Sequence, residues 1–333
     1  MKPKLFLIII PLFLLLFSCG QKQDKGHKEQ PQTTISAPAF NSDSAFAFVK
    51  AQTDFGPRVP NSEAHEQCAA WLVAKLQTYC DTVCVQHFTA TAYDGKQLKS
   101  QNIIGSISPE KTDRVLLASH WDSRPMADHD AIEANRSKPI DGADDGASGV
   151  GVLLELARQL QNERPNVGVD IIFFDSEDYG TPSGVNLPGD WWCLGSQYWA
   201  ENPHVAGYTA KYGILLDMVG APDAKFYHEY FSSFFAQDVL SKVWGTAYKL
   251  GYGSYFINQQ AHPITDDHYY VNKLAHIPMI DIIHQDNSSG TGFRSVWHTT
   301  YDNIDNIDAK MLGVVGSTLR AVLAGEQDTG VRD

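Results

Sequence analysis

Apolar and polar positions follow two rhythms along the chain. Short runs such as RVLLASH (114–120), VDIIFF (169–174), YGILLDMV (212–219) and IPMIDII (277–283) are almost continuously apolar. Runs of this length, rich in branched and aromatic residues, read as strands buried on both faces of a sheet. VCVQHF (83–88) and NIIGSI (102–107) are strand-like too. The second rhythm is helical. It appears in GVGVLLELARQLQ (149–161), DVLSKVWGTAYKL (238–250), residues 308–323, and a stretch opened by Asn61 or Ser62 as cap, with Cys68, Ala69, Leu72, Val73 and Leu76 on one face. Strands alternate with helices, which predicts a single α/β domain: a mostly parallel central sheet covered by helices on both faces. In such folds ligands collect at the carboxyl ends of the strands.

The termini behave differently. MKPKLFLIIIPLFLLLFSC places two lysines, an apolar stretch and a small residue ahead of Cys19, which is the plan of a secretory signal over 1–19. The ending LFSCG resembles a bacterial lipobox, which would make Cys19 the lipidated N-terminus. Gln21 lacks the aspartate of inner-membrane retention, so the expected place is the outer membrane, facing the periplasm. Residues 20–40 are polar and read as a flexible tether, leaving 41–333 as the catalytic domain, with folded structure from near Asn41 to about Gly325. Thirty-nine acidic against 26 basic residues, a net charge of -13, argues against nucleic acid as partner. Export permits disulfides, with Cys80 and Cys84 across a turn, or Cys68 with either, as candidates. The cysteines form no tight Cys/His cluster, which speaks against a thiolate zinc site.

Candidate chemistry sits just after the strands. Those positions hold His120 and Asp122; Asp144 and Asp145 in IDGADDGASGV; Asp175, Glu177 and Asp178 in FFDSED; Asp217; and His298 in SVWHTTYDN. Singly, a histidine after a strand is more often structural and a loop aspartate more often a cap. Asp217, inside an apolar run, resists that reading because an unpaired buried carboxylate is costly. Together the set implies a cation that lets clustered carboxylates coexist. Imidazole and carboxylate without thiolate suit catalytic zinc.

The ordered motifs FGPRVPNSEAH, QNIIGSI, SHWDSR, DGADDGASGVGVLLELAR, FFDSEDYG, LLDMVGA, TDDH and VWHTTYDNIDNID resemble the binuclear zinc aminopeptidases and, within them, the glutaminyl cyclases. The resemblance implies the zinc aminopeptidase layer architecture, with Asp145, Asp178 and His298 as ligands of one zinc. It implies Glu177 as general acid/base, Asp217 and Asp267 as a hydrogen-bonding pair beside the metal, and Trp297 as a pocket wall. Trp191 or Trp192 would form another wall, with ordinary packing as the alternative. His120 matches a histidine that binds a second zinc in the peptidases and none in the cyclases. In one departure, Glu177 is followed by Asp178 where the family pattern has two glutamates, which shifts the ligand by about a methylene.

The implied reaction converts an N-terminal glutamine of peptides or proteins to pyroglutamate, releasing ammonia. The protein would be a membrane-anchored monomer. An exported aminopeptidase would hold two zincs through His120, Asp145, Asp178, Asp217 and His298. A third reading is a non-catalytic binding lipoprotein on the same fold. VWHT, with tryptophan directly before the last histidine, favours the cyclase.

Overall fold

Each wholly apolar run divides its side chains between two sheet faces. In the strand Gly168–Phe174, Val169, Ile171 and Phe173 enter one core while Ile172 and Phe174 enter the other, because successive strand residues point opposite ways. Val115 and Leu117 against Leu116 and Ala118 repeat the division in Arg114–His120.

The computed structural model describes residues 39–327. The signal read at 1–19, its Cys19 and the tether up to residue 38 lie outside the described residues. The elements in chain order are α1 (Ser42–Thr53), α2 (Glu63–Tyr79), β1 (Thr82–Thr91), β2 (Gln97–Ile107), β3 (Arg114–His120), α3 (Ala147–Leu160), β4 (Gly168–Phe174), α4 (Leu194–Glu201) and β5 (Tyr212–Asp217). They continue with β6 (Phe226–His228), α5 (Tyr230–Lys249), β7 (Phe256–Gln260), α6 (Asp267–Tyr270), β8 (Met279–Ile283) and α7 (Ala309–Ala324). The main sheet has the order β1-β2-β4-β3-β5-β8. Strands β4, β3, β5 and β8 run parallel, and β2 and β1 add to one edge antiparallel. The expected α/β architecture is present. Helices α1, α2, α3, α5 and α7 pack over the larger core, while α4 and the segment after α6 close the smaller one. Among the described residues no helix is long and apolar enough to cross a membrane.

The cysteine pairings entertained from sequence do not form: Cys68, Cys80, Cys84 and Cys193 are free thiols. Cys80 ends α2 and packs with Val83 against the larger core. Cys84 follows Val83 in an extended strand and therefore points to the opposite face, where it is exposed.

Glu229 joins three segments. Its carboxylate caps α5 by accepting from the amides of Phe231 (2.8 Å) and Ser232 (2.6 Å), takes the Ile264 amide at 3.0 Å, and meets His268 Nε2 at 3.0 Å. Burial alone would raise its proton affinity, but the His268 contact and the amides carry it from the ordinary 4.5 down to about 2. A carboxylate depressed in the folded state adds stability above its unfolded pKa and loses it as pH falls towards the folded one. Glu229→Gln should therefore be less stable than the parent near neutrality by roughly 2–3 kcal/mol, with the gap narrowing from pH 5 to pH 3. Urea unfolding across that range checks this; a gap independent of pH would contradict it.

Candidate active site

The parallel strands β4, β3, β5 and β8 end on one rim, and two acidic turns are built there by the same device. After β4 the backbone turns at Ser176, whose φ is 59°, and Asp122, just past β3, accepts the amides of Glu177 (3.1 Å) and Asp178 (3.2 Å). Before α3, Asp302 accepts the amides of Asp144 (2.8 Å) and Asp145 (3.2 Å). Each buried aspartate is satisfied by backbone N–H groups while its turn presents Asp145, or Glu177 and Asp178, to the pocket; Asp144 turns away to accept the Gly220 amide. Gly146 lets the second turn approach β3: its φ is +95°, and a Cβ there would lie 2.8 Å from the Asp122 carbonyl and 2.9 Å from the His120 ring.

Asp175 does not join the cluster its sequence neighbours form. It turns inward to His65 Nε2 of α2, at 2.9 and 3.0 Å, and accepts the Gln101 amide. Histidine satisfies this charge without a metal.

Asp145, Asp178 and Asp217 form, with two histidines, two triads that share Asp145. In one, His298 Nε2 lies 3.3 Å from Asp178 Oδ1 and 3.5 Å from Asp145 Oδ2. In the other, His120 Nε2 lies 3.1 Å from Asp145 Oδ1 and 3.2 Å from Asp217 Oδ1. Within each triad the ligand atoms lie within 4.8 Å of one another. Burial, and next the charge of Asp145, raise the proton affinity of Asp178. Burial likewise carries Asp217 up to about 8 against the pull of His120. Burial lowers the proton affinity of His298, but its acidic neighbours, Asp178 foremost, overcome that and raise it to about 10. Asp178 Oδ2 is buried and has no hydrogen-bond partner among the described residues. Oxygen and imidazole donors crowded this closely, with a buried oxygen left over, fit a zinc ion held by three protein ligands with one position open.

His298 is itself supported. Its Nδ1 lies 3.5 Å from Asp128 Oδ1, and Asp128 is gripped by Arg124 at 2.8 and 2.7 Å. Burial opposes ionisation of Asp128, but Arg124 and His298 hold its carboxyl well below the usual range.

Above the triads opens a pocket of about 760 Å³. Trp191, Trp192, Trp297, Tyr270 and Phe293 give it aromatic walls, with Asp266 on its floor beside Glu177. Trp297 stacks on His298 with ring centres 3.7 Å apart, and Trp192 lies parallel to the same ring at 6.1 Å. The Arg124 guanidinium backs Trp192 at 4.7 Å. Glu177 receives the Cys193 thiol at 3.1 Å. Burial raises the proton affinity of Glu177 well above that of an ordinary glutamate; His120 opposes the rise, and Asp266, Asp178 and Asp267 add to it.

This rim of carboxylates and histidines lies inside residues 102–323, which match the model of peptidase family M28. The chain belongs to peptidase family M28. Among solved M28-like structures it is similar to the glutaminyl cyclase of Tannerella forsythia, with 54% identity and a TM-score of 0.86 over 87% of this chain and 100% of that one. It is as similar to a Zn-dependent exopeptidase from Parabacteroides distasonis, with 52% identity, the same TM-score and the same coverage. The glutaminyl-peptide cyclotransferase of Gloydius blomhoffii is 28% identical over 247 residues, 62% of this chain and 60% of that relative's length.

On this M28 frame the structure brings together Asp145, Asp178, His298, Glu177, Asp217 and His120, with Trp191, Trp192 and Trp297 around them. Asp267 is the exception. It is buried on the α4 side of α6, against Ser196, and its neighbour Asp266 lines the pocket in its stead. Asp266 is the cap of α6 in extended conformation (φ -142°, ψ 177°), so the two carboxylates leave the backbone in different directions. Arg124, Asp128 and Cys193 also escaped the sequence reading. The only signals available were the charged run SHWDSRPMADHD and the cysteine of DWWCLGS, neither with diagnostic spacing.

A carboxylate behind a metal-binding histidine fixes its tautomer and direction, and its loss weakens metal binding 10–100-fold. Asp128→Ala should lower zinc affinity by about that factor in competition with a chromogenic chelator, with the circular dichroism spectrum retained. Unchanged affinity would exclude the supporting role.

Proposed function

We infer that the protein is a glutaminyl-peptide cyclotransferase, closing an N-terminal glutamine onto its own α-amine to leave pyroglutamate and ammonia. The observation that carries this reading is the aromatic wall beside the carboxylate triad: Trp192 and Trp297 both line the pocket and both stack on the His298 ring. Their flat faces suit a planar side-chain amide.

Asp145, Asp178 and His298 would hold one zinc: all three line the pocket and Asp178 has an oxygen without a partner, whereas His120 is not part of the pocket wall. Bound there, zinc supplies polarisation of the γ-carbonyl and charge stabilisation for the tetrahedral oxyanion. The chain's own groups do the rest. Trp192 and Trp297 hold the glutamine side chain against the pocket wall, excluding water that would hydrolyse the amide. As the α-nitrogen attacks the side-chain carbonyl carbon, Glu177 accepts the proton it sheds and delivers it to the amide nitrogen, which leaves as ammonia when the C–N bond breaks. The high proton affinity of Glu177, with Asp266 and Cys193 beside it, suits a group that must be protonated midway through the cycle. Asp217 orients His120 through a hydrogen bond to its Nε2.

A second reading has its own observation. The triad of His120, Asp145 and Asp217 has the spacing of a second metal site, and with two zincs the same rim would serve an aminopeptidase in which Glu177 is the base for a metal-activated water. We also propose that the substrates are peptides or proteins beginning with glutamine, and that the monomer is anchored by a lipid on Cys19 to the outer membrane, facing the periplasm. The segment LFSCG supports the anchor.

The zinc-loaded protein, given a glutamine-initiated dipeptide and a panel of aminoacyl amides, should yield pyroglutamate and ammonia by mass spectrometry and release no amino acids. Glu177→Gln should lower kcat by roughly 10²–10⁴-fold with zinc content unchanged. Free amino acids without pyroglutamate would replace the cyclotransferase with the aminopeptidase.

A further inference from the structure

The first turns of α5 read YFSSFF, and the aromatic residues there do not all turn inward. Phe234 is 69% exposed and Tyr230 46% exposed, at a position where an amphipathic helix would place polar side chains. Phe231, Phe235 and Tyr269 are half-buried beside them. Exposed aromatic clusters of this kind mark interaction surfaces rather than ordinary solvent-facing helix.

Its location names the occupant. The rings form a path without a break: Tyr270, which lines the pocket, lies 5.2 Å from Tyr269, Tyr269 lies 4.7 Å from Phe231, Phe231 lies 6.3 Å from Phe235, and Phe235 lies 4.8 Å from Phe234. A second, independent link is made by backbone. Glu229 Oε1 accepts both the amide of Phe231 and the amide of Ile264, and Ile264 is part of the pocket wall. The aromatic surface thus adjoins the wall of the substrate pocket and is fixed to it.

We propose that this surface docks the residues that follow the N-terminal glutamine, and that the preferred substrates are peptides carrying apolar or aromatic side chains there. The proposal rests on the cyclotransferase reading for the identity of the first residue. Aromatic rings lose little side-chain entropy on contact and accept apolar partners without a fixed register. The surface would therefore raise affinity for a class of chains without reading one sequence.

The test uses the full chain loaded with zinc, as the parent and as the double variant Tyr230→Ser/Phe234→Ser, with three substrates. These are Gln-Ala amide, an octapeptide beginning Gln-Ala and continuing in Ser and Gly, and an octapeptide beginning Gln-Ala and continuing with Phe, Leu and Lys. The parent should show a KM about 5–10-fold lower for the apolar octapeptide than for the Ser/Gly one, as expected for burying one or two large apolar side chains incompletely. The double variant should abolish that ratio and leave kcat/KM for Gln-Ala amide within about twofold. Calorimetric binding of the two pyroglutamyl octapeptides ranks affinities without turnover. A retained ranking with no pyroglutamate formed would sink the cyclotransferase reading alone; turnover of every substrate with no ranking would sink the docking surface alone. Equal losses on all three substrates would also overturn it. So would an unaltered ranking in the variant accompanied by a change in sedimentation or in binding to phosphatidylglycerol vesicles, which would assign the rings to a second copy or a lipid surface.

Discussion

Like charges gathered at one rim of the parallel sheet are the constraint on which the rest of the molecule depends. Asp145, Asp178 and Asp217 approach two shared histidines to within 3.5 Å, in a buried place where each added carboxylate raises the cost of ionising the next. The fold holds this arrangement by spending other aspartates on backbone. Asp122 and Asp302 each bind two consecutive amides of an acidic turn, so the turns are fixed before any cation arrives. A divalent ion bound there would relieve that repulsion, which would be a source of affinity in itself.

The chemistry follows from how unevenly the rim is supported. His298 is held from behind by Asp128 and Arg124 and covered in front by Trp297 and Trp192. His120 is not part of the pocket wall, and its Nε2 meets Asp145 and Asp217. The His298 triad lies wholly on the pocket wall, and the other reaches it only through Asp145 and Asp217. Arg124 ties the two functions together: it binds Asp128 behind the metal-binding histidine and stacks on the Trp192 wall. Glu177 and Asp178, adjacent in the chain, meet different surroundings: Glu177 lies beside Cys193 and Asp266, Asp178 beside His298 and Arg124.

Much of the fold was legible from local pattern. Two-faced apolar strands, the helical periods of α3 and α7 and the Ser62 cap of α2 depend on neighbours within a few residues, and so does the placing of chemistry at strand ends. His120, Glu177, Asp178 and Asp217 are legible because each ends or closely follows a strand, and Asp145 because it precedes α3; His298 lies in the long segment between β8 and α7, not at a strand end, and only its motif VWHT marks it. The pairing of Cys80 with Cys84 failed for an equally local reason, since the strand alternation puts Cys84 on the face away from Cys80.

The sequence by itself determined the layer architecture, the family and the strand ends that carry the donors, because those follow from periodicity and motif order. Only the tertiary structure decided which carboxylates meet. Asp175 is drawn from the cluster by His65, 110 positions away, and Asp266 takes the place expected of Asp267 through the backbone direction at one helix cap. Asp128 and Asp302 act on partners about 160–170 residues distant in the chain. Such pairings have no period and no spacing, and they exist only once the sheet has brought its loops to a common rim.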